Sequence, residues 1–185
     1  IFKHNGTAWT QLGADIDGEA ASDSSGGSVS LSADGTKVAI GALLNDGTAS
    51  NAGHVRIYNY NGTAWTQLGA DIDGEAANDQ SGISFSLSAD GTKVAIGAHY
   101  NDDGPGNNSG HVRIYNYTPS GTASWTQLGA DIDGEAASDY SGGSVSLSAD
   151  GTKVAIGAYG NDGTASAAGH VRIYNYTPSG TASWT

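Results

Sequence analysis

A repeat of nearly sixty residues governs what this chain can fold into. The Trp of T-A-W-T or A-S-W-T stands at Trp9, Trp65, Trp125 and Trp184, at spacings of 56, 60 and 59 residues. The stretch from Ser28 to Tyr60 returns as Ser84 to Tyr117 and as Ser144 to Tyr176. A tandem array of this period stacks small supersecondary units, none of which can bury its apolar face alone.

Each unit reads as four strands. S-V-S-L-S and T-K-V-A-I-G-A are joined at Asp34-Gly35, Asp90-Gly91 and Asp150-Gly151, where a two-residue turn needs the positive φ that glycine supplies. H-V-R-I-Y-N-Y and A-W-T-Q-L-G follow, and no stretch has helical periodicity. Between these two strands the connection is short at Asn61-Gly62 and longer at Thr118-Pro119-Ser120-Gly121 and Thr177-Pro178-Ser179-Gly180. In the first two strands Val29, Leu31, Val38 and Ile40 make one face bulky, while Ser28, Ser30, Ala39 and Gly41 make the other small. A bulky face can stack on the small face of the next copy. The expected fold is all-β: four-stranded antiparallel β-propeller blades, three per chain, at residues 28–68, 84–128 and 144–185, with a stacked-sheet solenoid as the alternative.

Composition narrows the function. With hydrophobic content of 37% and 29 glycines, the core is one of Val, Ile, Ala and Gly. There is no Cys, which removes disulfides and thiol chemistry. Seven Lys and Arg against 19 Asp and Glu give a net charge of -12, which repels phosphate backbones, so nucleic acid is not an expected partner. No apolar run approaches the ~20 residues of a membrane span, so no membrane insertion is expected.

The segments D-S-S-G-G-S-V-S-L-S-A-D-G-T-K-V-A-I-G-A and G-H-V-R-I-Y resemble the FG-GAP repeat of integrin α-subunit-type β-propellers over all three copies. Ser25, Ser81 and Ser141 stand at the family's Phe, and Leu43, His99 and Tyr159 at its Pro. The family's calcium insertion between the first two strands is cut to A-D-G-T, so that site does not carry over. The resemblance implies a non-enzymatic, extracellular or cell-surface binding and adhesion module. Two alternatives stand beside it: a multivalent carbohydrate-binding propeller and a structural array without ligand. The near-identity of the copies offers no nucleophile and base set apart from the repeat, so no catalytic residue and no enzyme is expected.

Between units lies A-D-I-D-G-E-A-A-S-D. Its acids, Asp15, Asp17, Glu19 and Asp23, recur as Asp71, Asp73, Glu75 and Asp79 and as Asp131, Asp133, Glu135 and Asp139. Their 1, 3, 5, 9 spacing is that of oxygen-rich calcium loops, although Gly18 and Gly26 fall off that pattern. No cofactor is required, and calcium is the ion these acids would take; the competing reading is turn and surface residues. His54, His111 and His170, one per unit, are too dispersed to share one metal ion. Arg56, Arg113 and Arg172 are expected to pair with carboxylates of the interblade loops. The copies diverge at one end of the strands, where Leu43, Leu44, His99, Tyr100 and Tyr159 meet Gln80 and Tyr140, and this is the expected binding face for a protein or glycan ligand.

Residues 1–12 repeat the end of a third strand and a fourth strand, and Trp184-Thr185 fall inside another fourth strand. The expectation is a strand-exchange segment, with the ring completed by other copies of the chain or by further blades of a longer parent chain.

Overall fold

A computed structural model describes residues 1–119, 124–178 and 183–185. The expected connections through Ser120-Gly121 and Ser179-Gly180 lie outside the described residues. Every described element is a strand, in four antiparallel sheets rather than three. The first holds β1 (Phe2–His4) and β2 (Trp9–Gln11). The second runs β3 (Ser28–Leu31), β4 (Lys37–Ala42), β5 (His54–Tyr60), β6 (Trp65–Gln67), with β7 (Ile72–Asp73) also on β5. The third repeats it as β8 (Ser84–Leu87), β9 (Lys93–Ala98), β10 (His111–Thr118), β11 (Ser124–Gln127) and β12 (Ile132–Asp133). The fourth is β13 (Ser141–Leu147), β14 (Lys153–Ala158), β15 (His170–Thr177) and β16 (Ser183–Trp184).

Two stretches lie at the margins of the expected blades. Residues 1–12 form their own two-stranded sheet, closed by Leu12 N donating to Ile1 O, and Trp65 Nε1 donates to Leu12 O at 2.8 Å. They contact the chain's own second sheet, where Ile1 packs against Val38, Ile40 and Tyr58. Ile72–Asp73 and Ile132–Asp133, taken as interblade loop, return to the sheet after a break at Gly69 to Asp71 and Gly129 to Asp131. Burial of Ile72 and Ile132 draws them back.

Bulky faces stack on small ones, as the alternation requires. Phe85, Leu87, Val94, Ile96 and Tyr115 of the third sheet pack on Ala39, Val55 and Ile57 of the second. Leu147, Val154 and Ile156 of the fourth pack likewise on Ala95, Val112 and Ile114. The stack is stitched by side chains reaching backbone: Trp125 Nε1 donates to Leu68 O, Ser30 Oγ accepts from Leu87 N, and Ser86 Oγ from Leu147 N. At the two ends the same positions are bare, Val29 and Leu31 on one side, Val171 and Ile173 on the other.

The Asp-Gly turns are locked by their carboxylates. Asp34 Oδ1 accepts from Thr36 N, Thr36 Oγ1 and Ser32 Oγ, and these bonds lower its pKa from the ordinary 3.8 to about 2. As pH falls the unfolded chain therefore takes up the proton first, so the turn's contribution is complete above about pH 4 and disappears toward pH 2. The melting-temperature gap between the native chain and Asp34→Ala is expected to close over that interval. A gap constant down to pH 2 would refute the turn as its source.

Candidate functional site

Two constellations arise at the end of the sheets opposite the Asp-Gly turns. The loop from the second to the third strand and the loop between sheets are tied together there. Asn78 N donates to Ser50 O and Ser81 N to Ala52 O; in the next unit Ser138 N donates to Asn107 O and Tyr140 N to Asn108 O.

The first constellation repeats. On β5, His54, Arg56 and Tyr58 alternate with Val55 and Ile57, so burying the apolar pair against the third sheet turns the polar residues toward the preceding loop. Arg56 pairs with Glu19 at 3.2 Å and donates to Asp17 O; Arg113 pairs with Glu75 at 3.1 Å and donates to Asp73 O. Arg172 meets Glu135 at 3.6 Å and bonds Asp133 O. The arginine–carboxylate pairing expected from the repeat is present in all three units. Beside each arginine sits a histidine, and Nδ1 of buried His54 faces Glu19, Asp71 and Asp73 at 3.8 to 4.0 Å. Burial, then the Arg113 charge, lowers the His111 pKa to about 4 against the pull of Asp131. Burial raises Asp73, Glu75 and Asp133.

This geometry redistributes the acids expected to form calcium loops. Asp23, Asp79 and Asp139 are buried and structural: Asp23 Oδ2 accepts from Ala20 N and Asn45 Nδ2, Asp79 from Ala76 N and Asn101 Nδ2, and Asp139 from Ala136 N and Asn161 Nδ2. Asp15 accepts from Gln11 Nε2. Among the described residues the ligand-type groups that converge within 4.8 Å are Glu19, His54, Asp71 and Glu75, His111, Asp131. Neither set comes from a single loop, because each glutamate reaches forward and each aspartate back onto a histidine between them. The histidines need not share an ion, since each gathers its own acids.

The second constellation occurs once. His99 and Tyr100 follow β9, Tyr140 precedes β13 and Tyr159 follows β14. The His99 and Tyr100 rings lie 4.0 Å apart, Tyr140 is 6.3 Å from His99 and 5.7 Å from Tyr100, and Tyr140 and Tyr159 stack at 5.0 Å with 6° between planes. Glycine makes the room: a Cβ on Gly143 would meet the Tyr159 ring at 2.9 Å, and one on Gly160 the Tyr140 ring at 2.8 Å. Tyr140 holds a φ of 54°, the left-handed backbone that Ser24 holds at 56° in its own repeat, so the turn belongs to the repeat and the tyrosine side chain alone is new there. Burial lowers the His99 pKa, its Nδ1 has no partner, and no charged group offsets the shift. A cleft of about 390 Å³ opens beside the rings, lined by Ala77, Asn78, Tyr100, Asp102, Asn108 and Tyr140. Gln80 stands at the position matching Tyr140, also at a φ of 54°, while half-buried Leu43 and Leu44 make the same face apolar in the second sheet. The more apolar cleft, about 480 Å³ and lined by Ile1, Val29, Leu31, Val38 and Trp65, lies at the bare end of the stack and holds none of these groups.

No family model and no curated protein sequence matches the chain. Solved structures do. A protein of Bacteroides uniformis, provisionally named a 6-phosphogluconolactonase, aligns with all of this chain and 46% of its own at a TM-score of 0.63 and 11% identity. One of Bacteroides fragilis with the same provisional name aligns with 85% of this chain and 36% of its own, at 0.56 and 12%. The chain spans less than half the length of either, and at such identity the likeness is one of fold. It nonetheless corrects the sequence reading. The non-enzymatic adhesion module, argued from a resemblance and from the likeness of the copies, is set aside together with its lectin-like and ligand-free alternatives and the integrin vocabulary. The structures that share the fold carry an enzyme's name instead. The argument against an enzyme, that the copies are alike, fails at the His99 and tyrosine cluster, which the repeat does not reproduce.

Proposed function

We propose that the stacked sheets are blades of a β-propeller whose bare end faces are covered by further blades, and that this propeller hydrolyses a sugar lactone at the His99, Tyr100, Tyr140, Tyr159 face. The observation that carries the reading is that cluster: one neutral histidine among three tyrosines, at a single blade junction of an otherwise repetitive array. Tyrosine faces suit the apolar flank of a sugar ring, and their hydroxyls its polar edge. The neighbours' names supply the reaction class.

Charge narrows the substrate. Phosphate recognition draws on arginine or lysine. Of the seven Lys and Arg, Lys37 and Lys93 bind Asp90 O and Asp150 O at the opposite end, Lys153 holds the same place in its own repeat, Lys3 lies on β1, and the three arginines are paired with glutamates. An unphosphorylated aldonolactone therefore fits better than a 6-phosphorylated one. The test is hydrolysis of glucono-δ-lactone and of its 6-phosphate by the 185-residue chain, followed as acid release against the spontaneous rate. The expected result is catalysis of the neutral lactone, with the phosphorylated one slower. Rates at background for both would overturn the reading.

A further inference from the structure

The repeated histidines leave something unexplained. His54 and His111 are each 1% exposed. Neither ring nitrogen of His54 has a hydrogen-bond partner, nor has Nδ1 of His111. A buried ring nitrogen without a partner is costly and calls for an explanation. Around His54 Nδ1 stand Glu19 Oε2 at 3.9 Å, Asp71 Oδ2 at 3.8 Å and Asp73 Oδ1 at 4.0 Å; around His111 Nδ1 stand Glu75 Oε2 at 3.9 Å and Asp131 Oδ2 at 3.8 Å. These separations are too long for hydrogen bonds. They are the separations of atoms facing a common centre.

Bonds of about 2.0–2.2 Å in a tetrahedral divalent site place ligand atoms roughly 3.4 Å apart. To close either set around such an ion the histidine–carboxylate distances must shorten by about 0.5 Å, and the carboxylate oxygens, within 4.8 Å of one another, must draw in as well. The carboxylates are 30 to 45% exposed, and each keeps the oxygen facing the ring while Arg56, Arg113, Gln67 and Gln127 hold the other. We infer that Glu19, His54, Asp71 and Glu75, His111, Asp131 are two divalent metal sites, and that the ion is a transition metal of the zinc class. An imidazole among carboxylates selects against calcium, which takes six to eight oxygens. Arg56 and Arg113 each hold the other oxygen of the glutamate, an outer contact that fixes its orientation. With Asp73 beside the first site, the negative charges outnumber the one arginine. The third unit provides an internal comparison: His170 has Glu135 at 3.6 Å, its side chain is 25% exposed, and no second acid joins it among the described residues.

The chain, freed of metal by chelator, would be titrated with Zn²⁺ by calorimetry and with Co²⁺ by its visible spectrum. Two ions per chain are expected. His54→Ala and His111→Ala should each leave one, the double variant none, and His170→Ala both. Asp71→Asn and Asp131→Asn, which alter partly exposed carboxylates, read the same two sites if a histidine variant fails to fold, and should weaken their own site at least tenfold. Circular dichroism checks the fold of each. No bound ion, a stoichiometry unmoved by these variants, or Ca²⁺ binding as tightly as Zn²⁺ would overturn the assignment. No step of lactone hydrolysis passes through these residues, so the two proposals fail separately.

Discussion

Gly97→Ala is expected to destabilise the chain by about 3 kcal/mol, and Gly157→Ala, the same residue one repeat later, by under about 1 kcal/mol. Gly97 lies in β9 against the fourth sheet, and a Cβ there would stand 2.1 Å from Gly142 O and 2.9 Å from Gly142 C. Gly142 has no latitude to withdraw. Its φ of 85° lies in the left-handed region, its carbonyl accepts from Ser84 Oγ, and a Cβ on it would stand 2.5 Å from His111 O. Two backbones thus meet with only hydrogen atoms between them, and the added methyl must push whole sheets apart. At Gly157 the close atom is Ser144 Oγ at 2.3 Å, one end of a side chain that can rotate, with the next atoms at 3.6 Å or more. Thermal melting of the two variants checks this, the first losing roughly 6–12 °C and the second about 4 °C or less. Equal losses would mean that sheet stacking is not what glycine serves at this position.

The repeat made much of this legible beforehand. Alternation in V-S-L and V-A-I-G-A fixed which faces stack, and Asp-Gly placed the hairpins at Asp34, Asp90 and Asp150, because both signals are local and repeat with the strands. Ile72–Asp73 was not legible: D-I-D-G-E reads as a polar loop, and one isoleucine buried by a distant sheet outweighs three acidic neighbours. The histidine clusters were hidden for another reason. Glu19 and Asp71 belong to successive loops, and reading each loop by itself groups Asp15 to Asp23, whose side chains turn to different partners. Divergence among the copies did point to His99, Tyr100, Tyr140 and Tyr159. Their meeting in one cluster needed the stacking of two sheets, because Tyr140 and Tyr159 come from one unit and His99 and Tyr100 from the one before.

If the lactone reading holds, His99→Ala should lower kcat/KM for glucono-δ-lactone by 10² to 10⁴, the range ascribed to a positioned general base. His99 would take a proton from water as the oxygen adds to the lactone carbonyl; collapse of the tetrahedral intermediate breaks the ring C–O bond, and the departing oxygen receives the proton, leaving the open hydroxy acid. Burial favours the uncharged ring, so the His99 pKa lies below the ordinary 6.5. The rings against it are those of Tyr100 and Tyr140, and Tyr159 stacks on Tyr140, where burial, then the proximity of Tyr100 and Tyr140, raises its pKa. The active form is therefore the deprotonated imidazole, and kcat/KM should climb with pH through a midpoint below 6.5 and level off by neutrality. Tyr159→Ala separates the roles: its exposed ring can stack on a sugar but carries no proton in this scheme, so KM should rise while kcat changes little. A His99→Ala variant that folds and keeps the native rate, or a native profile with its midpoint above 6.5, would remove His99 as the base.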